Sequence, residues 1–460
     1  MNHDKKIVVI GCGAGGGTAS QFARKTDRKA EVTIFERGKY PQYSKCGLPY
    51  TISGIVPNIK DLVEFSEEWF KKAKINLNLE TEVKKIDIEN KKIHANNKDG
   101  DIQEDFDKLI ICTGASPLFP NIKNLQKNDK IIEGVFPLRT IDDAKKISSH
   151  IKKNAKATIV GAGLIGLEMA DCLLKKKMKV TIIEALPRIL EGYLDEDMLG
   201  IIKENIPSNV MIYTNHIVNE IIKRNEKITS VKIKENETGT EKEIETDLLI
   251  LATGCKPEIK LAEQIGCKIG STGHIIVNEK SETTVKDVYA AGDCTEFVDF
   301  VTKRPVPIGL GSIVVRQAIA AGTNAAGGKY ILPKGVLQTC TSEFFNKEIA
   351  SVGPSKKFLE EKEIVSAKIH GFTLLEYFPG GRPISIKIAV DNKDKKIVYA
   401  QAVGENAAQR INIIASAMLG KLDFNTFRKL ETAYAPPISP VLDVTTLVCD
   451  IISMKIDKVR

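Results

Sequence analysis

Lys6-Ile7-Val8-Val9-Ile10-Gly11-Cys12-Gly13-Ala14-Gly15-Gly16 and, farther along, Ala157-Thr158-Ile159-Val160-Gly161-Ala162-Gly163-Leu164-Ile165-Gly166 are two versions of one unit. Each reads as a buried strand, a Gly-x-Gly-x-x-Gly turn and the start of a helix. Each is followed by a second apolar strand ending in an acid, Val32-Thr33-Ile34-Phe35-Glu36 and Val180-Thr181-Ile182-Ile183-Glu184. Strand, glycine turn, helix and acid together are the signature of a dinucleotide site. The first glycine permits the tight turn, the second lets the backbone approach a pyrophosphate, and the third allows close helix packing. The pyrophosphate then rests at the positive helix N-terminus. The candidate contacts are Gly11, Gly13, Ala14, Gly15, Gly16, Glu36 and Arg37 in the first unit, and Gly161, Gly163, Leu164, Ile165, Gly166 and Glu184 in the second. The acids are placed to accept ribose hydroxyls. An acid at Glu184 repels a 2′-phosphate, and no arginine immediately follows it (the next is Arg188), so NADH is favoured, with NADPH as the alternative.

The two units also close alike. Asp107-Lys108-Leu109-Ile110-Ile111-Cys112-Thr113-Gly114 and Asp247-Leu248-Leu249-Ile250-Leu251-Ala252-Thr253-Gly254 are apolar strands breaking into a Thr-Gly turn. This adds Thr113, Gly114 and Gly254 to the cofactor set and marks an internal duplication of large units. Another strand and turn, Val288-Tyr289-Ala290-Ala291-Gly292-Asp293-Cys294, precedes a helical pattern from about Gly311 to Ala326. Beyond Gly328 the character changes: Ile384-Ser385-Ile386-Lys387-Ile388-Ala389-Val390 alternates as an antiparallel strand, Asp391 to Asp394 reads as a hairpin tip, and Arg410–Leu419 and Asp423–Leu430 read as helices. The fold class is α/β: two Rossmann-like dinucleotide-binding domains followed by an α+β domain without a glycine fingerprint.

The length of 460 residues suits about three domains, and 42% hydrophobic with 27% charged residues is ordinary globular composition. No apolar run approaches the ~20 residues that span a bilayer. The polar N-terminus leads straight into a strand, so a cytoplasmic placement is expected and no membrane association. The net charge of +8 reads as a lysine-rich solvated surface, or as attraction for a polyanionic substrate. No nucleic-acid module is present. The nine cysteines are scattered, without metal-ligand spacing, so no metal is expected. Cys12, Cys112, Cys172, Cys255, Cys267 and Cys294 read as small buried fillers.

Cys46 differs. It stands in Tyr43-Ser44-Lys45-Cys46-Gly47-Leu48-Pro49-Tyr50, and the next cysteine is Cys112, so it has no local disulfide partner. Gly47 and Pro49 shape a tight turn that a core filler would not need. With the two fingerprints, this run resembles the single-cysteine branch of the FAD-dependent pyridine nucleotide-disulfide oxidoreductases, the group of coenzyme A disulfide reductases, NADH oxidases and NADH peroxidases. The resemblance covers nearly the whole chain. It implies an FAD-binding domain in two parts (1–118 and 249–328), an NAD(P)H-binding domain (119–248) and a C-terminal dimerisation domain (329–460) that makes a homodimer. It places Asp293 on the ribityl chain of FAD and Glu168 beside the nicotinamide.

Within the branch, Ala14 stands where oxidases and peroxidases usually carry a histidine, and Ser20-Gln21-Phe22-Ala23-Arg24 resembles a Gln-x-x-Arg contact with coenzyme A. Tyr434-Ala435-Pro436-Pro437 and Tyr377-Phe378-Pro379-Gly380 resemble the segments whose tyrosines approach the partner subunit's active cysteine. The resemblance is therefore closest to coenzyme A disulfide reductase, although Lys45 and Ile438 stand where small or polar and aromatic residues respectively are common. It implies Cys46, Tyr434 and Tyr377 as catalytic residues and Gln21, Arg24, Tyr43, Ser44 and Lys45 as contacts to a small thiol or disulfide, coenzyme A first among them. Lys72 and Lys74 are further candidate contacts to its phosphates.

The nucleophile has to be a thiolate. A free cysteine titrates near ~8.5, and a cationic neighbour or a helix N-terminus lowers that to roughly 3.5–7.5. Lys45 is adjacent in sequence, but on an extended segment its side chain would point away from that of Cys46. In the expected cycle Cys46 is held as a mixed disulfide with the small thiol and is restored by electrons that originate in NADH. Two other functions compete: an NADH oxidase making peroxide or water, and an electron-transfer or redox-sensing flavoprotein for which Cys46 is dispensable.

Overall fold

A computed structural model describes residues 4–128 and 130–459. The chain divides into two compact units, Met1–Leu118 with Arg139–Ile141 and Gly254–Val336, and Phe119–Leu138 with Asp142–Thr253 and Leu337–Arg460.

The first unit is built on a five-stranded parallel sheet in the spatial order Val288–Ala290, Lys108–Ile111, Lys6–Ile10, Glu31–Phe35, Asn76–Asn78. The inner runs at residues 109–111 and 7–10 are apolar because both faces are covered, whereas the edge strand Asn76–Asn78 is polar at both ends. On one face Val9, Ile34 and Ile110 pack with Ala19 and Ala23 of the helix Ala14–Thr26 and with Ala318 and Ala321 of the helix Gly311–Ala325. These two helices meet backbone to backbone: a Cβ on Gly322 would lie 2.0 Å from the carbonyl oxygen of Ala19.

The second unit repeats the arrangement, in the order Val135–Pro137, Leu248–Leu251, Lys156–Val160, Lys179–Ile183, Val210–Tyr213. The duplication reaches individual hydrogen bonds. Gly11 N donates to Phe35 O, and Gly161 N to Ile183 O, both at 2.8 Å. The backbone N–H groups of Lys6 and Lys156 donate to Asp107 and Asp247, again both at 2.8 Å. Each unit also inserts a three-stranded antiparallel meander that the sequence reading did not anticipate, Glu82–Asp87, Lys92–Asn97, Gly100–Asp105 in the first and His216–Arg224, Lys227–Glu235, Glu241–Glu245 in the second.

The C-terminal part of the second unit is a five-stranded antiparallel sheet, ordered Cys340–Phe344, Lys347–Val352, Ile397–Gly404, Pro383–Asp391, Ile364–Phe372. The helices Ala407–Leu419 and Val444–Val459 pack on it. The expected strand and hairpin are in place. The helix expected over Asp423–Leu430 is a single turn, Phe424–Phe427, capped by Asp423 through Thr426 N at 3.1 Å. Lys429 and Leu430 fold into turn hydrogen bonds instead of continuing the helix.

Candidate active site

The glycine turns separate two demands that look alike in sequence. Gly11 has φ +98°, and a Cβ there would sit 2.3 Å from the Cys112 carbonyl oxygen; a Cβ on Gly16 would sit 1.8 Å from Gly11 O. Gly161 and Gly166 repeat this, with 2.4 Å to Ala252 O and 2.0 Å to Gly161 O. These glycines exist for the fold. Gly13 and Gly163 are different: a Cβ on either would meet nothing within 4 Å. Each is the N-cap of its helix, Ala14–Thr26 and Leu164–Lys175, and neither cap has a side-chain bond. Open space above unsatisfied helix N–H groups is the cradle a pyrophosphate requires.

The acids finish both cradles in the same way. Glu36 accepts from Cys12 N at 2.6 Å and Gly38 N at 2.7 Å. Glu184 accepts from Ala162 N at 2.6 Å and Leu186 N at 2.8 Å. Each carboxylate is thus fixed by backbone donors at the rim of its glycine turn, where it can still accept ribose hydroxyls.

Around the first cradle, Thr113 Oγ1 donates to Glu258 O at 2.5 Å and Glu258 N to Gly114 O at 2.9 Å. Gly114, at φ +67°, also has open space at its Cβ position. Arg37 pairs with the Glu258 carboxylate at 3.4 Å. Asp293 follows Gly292, whose N–H is anchored by Gln317 Oε1 at 3.0 Å, and its carboxylate pairs with Arg139. Arg139 also donates through Nε to Ala115 O at 3.1 Å. Sequence reasoning missed Arg139 and Glu258: Glu258 lies four residues past the second Thr-Gly turn and Arg139 lies between the quoted runs, and only the fold brings them to Arg37 and Asp293 respectively.

Cys46 is exposed. The residues Lys45–Gly47 form one 3-10 turn running into the helix Leu48–Ser53, with Gly47 as N-cap and Pro49 in the first turn. Leu48 and Ile52 anchor this helix in the interior, and Ser44 N is tied to Leu62 O at 2.8 Å. Gly47 is required by packing, since a Cβ there would lie 2.3 Å from Leu62 Cδ2. The segment is therefore not extended, as expected for Lys45, but a turn. Lys45 lies among Arg139, Asp293, Glu36 and Arg37. Although Lys45 is exposed at the surface, the protein crowded around it, then Arg139, hold its ammonium below the ordinary lysine value, against the pull of Asp293 and Glu36.

Of the expected thiol contacts, Tyr43 bridges to Val63 and stacks edgewise on Tyr40 at 6.3 Å. Gln21 is buried. The Arg24 guanidinium is tied to the carbonyl oxygens of Arg28 at 2.8 Å and Lys74 at 2.6 Å. Cys12, Cys112, Cys172, Cys267 and Cys294 are buried as expected, but Cys255 is exposed: the short strand Cys255–Pro257 pairs on one side only, with Ala115–Pro117. Among the described residues no disulfide forms and no group of three His, Cys, Asp or Glu could hold a metal ion.

In the second unit, Glu168 lies half-buried on the helix Leu164–Lys175 and accepts a hydrogen bond from Ser342 Oγ at 2.5 Å. Arg188, the nearest arginine after Glu184, is occupied: it grips Glu191 at 2.8 and 2.9 Å and reaches Glu196 at 3.3 Å. Tyr377 and Tyr434, 69% and 46% exposed, meet one another. The hydrogen bond to Tyr434 holds the proton on Tyr377 and raises its pKa above the ordinary tyrosine value. Ile438, Val441 and Leu442 are exposed nearby in sequence.

Two glycine turns, each with open space at its middle glycine and an acid at its rim, could hold two dinucleotides, and the first lies in a unit that also presents an exposed cysteine. Residues 5–325 match the pyridine nucleotide-disulphide oxidoreductase family and residues 339–444 its dimerisation domain, and the chain belongs to that family. It is 34% identical over 455 residues to the NADH oxidase of Methanocaldococcus jannaschii, covering 97% of this chain and 98% of that one. It is 35% identical over 443 residues to the CoA-dependent NAD(P)H sulfur oxidoreductase of Pyrococcus abyssi, covering 95% and 96%. The structure of an NAD-dependent persulfide reductase from A. fulgidus superimposes with a TM-score of 0.92 at 32% identity, over 99% of this chain and 84% of that one. The cofactors of the family are FAD and a nicotinamide nucleotide. Among the described residues no helix is long and apolar enough to cross a membrane.

Proposed function

We propose that the protein is an NADH-dependent flavoenzyme that reduces coenzyme A disulfide, or a related low-molecular-weight disulfide, persulfide or polysulfide, through Cys46. The observation that carries this reading is an exposed cysteine, in a turn that Gly47 packs against Leu62, within the same unit as the first cradle. Gly13, Glu36, Thr113, Gly114 and Asp293 would hold FAD, and Gly163 and Glu184 the nicotinamide nucleotide. When bound, FAD supplies a two-electron relay from the nicotinamide nucleotide to sulfur. Cys46 thiolate attacks one sulfur of a disulfide RS–SR, forming the Cys46–S–S–R bond and releasing one RS⁻. Two electrons then cleave that bond, releasing the second RS⁻ and restoring the Cys46 thiolate. Tyr377 and Tyr434 are paired through the Tyr377 hydroxyl proton, and Tyr434, which accepts it and keeps its own O–H, is suited to orient or protonate a departing thiolate. The pair would act from the partner subunit of a homodimer. Glu184 together with the occupied Arg188 favours NADH over NADPH.

A second reading, NADH oxidase, is favoured by the name of the Methanocaldococcus relative. The purified flavoenzyme with NADH, given coenzyme A disulfide, polysulfide or oxygen, separates the two. Cys46→Ser is expected to lower disulfide turnover by about 10³-fold or more while NADH still bleaches the flavin absorbance at the wild-type rate. Disulfide turnover that survives Cys46→Ser would sink the proposal, and equal NADH consumption with and without disulfide would favour the oxidase.

A further inference from the structure

The helix after the second glycine turn carries two residues that the glycine fingerprint does not explain. Ile165 and Glu168 are three positions apart and share a helix face. Ile165 is a large apolar side chain left 48% exposed at the helix start. If the pyrophosphate sits over Gly163 and the adenosine half turns toward Glu184, the other half of the dinucleotide runs along this open face, toward Glu168. That carboxylate is half-buried, and among the described residues no cation pairs with it. Its one hydrogen-bond donor among them is Ser342 Oγ, at 2.5 Å. Ser342 is itself buried, on the strand Cys340–Phe344, which belongs to the C-terminal sheet and packs against the helix. A shielded carboxylate with one neutral donor is poorly stabilised as an anion. Burial raises its pKa, and the Ser342 bond opposes that rise. A cationic group arriving in front of it would supply what it lacks.

We propose that Ser342 is the positioning residue for Glu168, aiming its carboxylate at the nicotinamide end of the site. The second unit then prefers NAD⁺, whose ring is cationic, over neutral NADH. This inference rests on the assignment of the second cradle to the nicotinamide nucleotide. A site that binds the oxidised form better than the reduced form pulls NADH oxidation forward. A residue from the C-terminal sheet would thereby set the driving force for electron entry.

The test is calorimetric titration of the FAD-loaded enzyme with NAD⁺ and with ADP-ribose, which lacks the nicotinamide, from pH 5 to 9. Affinity for NAD⁺ should fall roughly tenfold as the pH drops through the Glu168 transition, while ADP-ribose binding stays level. Glu168→Gln should abolish the step. Ser342→Ala should move its midpoint up by about one pH unit, because a hydrogen bond to the anion is lost, and Ser342→Thr should restore it. A midpoint that Ser342→Ala leaves in place, or an ADP-ribose profile that moves with it, overturns the inference. Either result leaves the disulfide reading standing, since that reading fails or holds on Cys46→Ser.

Discussion

Gly11 and Gly13 are two positions apart and answer to different constraints. Gly11 combines φ +98° with a 2.3 Å approach to a carbonyl, whereas Gly13 has φ −71° and open space in front of it. Gly11→Ala should therefore damage the fold itself. It costs about 1–3 kcal/mol of backbone strain before the clash is added, visible as a lower Tm in protein stripped of FAD. Gly13→Ala should leave that Tm nearly unchanged, since a poorer N-cap costs about 0.5–1 kcal/mol, yet weaken FAD binding because the methyl occupies the cradle. Equal Tm losses for the two variants would contradict this division of roles.

Under the proposed assignment of the second cradle, secondary elements bear on its choice between NADH and NADPH. The turn after the strand Lys179–Ile183 carries Arg188, and the approach to the helix Glu196–Lys203 carries the Glu191 and Glu196 that occupy it. The arginine that could greet a 2′-phosphate is thus neutralised by its own neighbours. Glu184→Ser combined with Glu191→Ala should remove the repelling acid and release Arg188. The NADPH to NADH ratio of kcat/KM should then rise by roughly 10- to 100-fold. An unchanged ratio in steady-state assays would show that Arg188 does not reach the nucleotide.

At the scale of the molecule, the second unit joins a parallel nucleotide sheet to an antiparallel one through a buried charge cluster. Lys387, in the middle of the strand Pro383–Asp391, reaches Asp195 at 2.7 Å and Asp197 at 2.8 Å. Asp195 also accepts from Tyr399 at 2.8 Å, and its N–H donates to Gln401 Oε1 at 2.8 Å. Burial pushes the Asp195 carboxyl up, but Lys387 and the Tyr399 and Gln401 bonds outweigh it and leave its pKa below the ordinary value. Burial likewise lowers Lys387, and the two aspartates outweigh that and raise it. Lys387→Met strands the mostly buried Asp195 charge, for which a destabilisation of about 3–5 kcal/mol is expected in denaturant titrations at pH 7. A depressed carboxyl contributes its stability above the unfolded value of about 3.9 and loses it as the pH falls through the folded value. Without Lys387 burial pushes the Asp195 carboxyl up, so the penalty of Lys387→Met should begin to shrink as the pH falls through that raised value and be smallest below pH ~4; a penalty that is flat down to pH 3 would exclude this origin.

The duplicated units, the order of strand, glycine turn and acid, and the oddity of Cys46 were legible in the sequence because each is local. A tight turn needs its glycine within a few residues, and a buried strand shows as an unbroken apolar run. The antiparallel meanders were not legible, since their strands alternate weakly and take meaning only from pairing. Nor was the exposure of Cys255, which depends on its strand having one neighbour instead of two. Arg139, Glu258 and Ser342 carry no motif. Each acquires a role only when chain segments far apart in sequence are brought within hydrogen-bond distance of Asp293, Arg37 or Glu168. The sequence by itself determined the two strand–glycine-turn–helix units and singled out Cys46, because backbone conformation and side-chain type over short spans dictate them. Tertiary structure alone decided which glycines face open space, which charges are already paired, and what surrounds Glu168. Those are properties of long-range packing, and short-range spacing does not encode them.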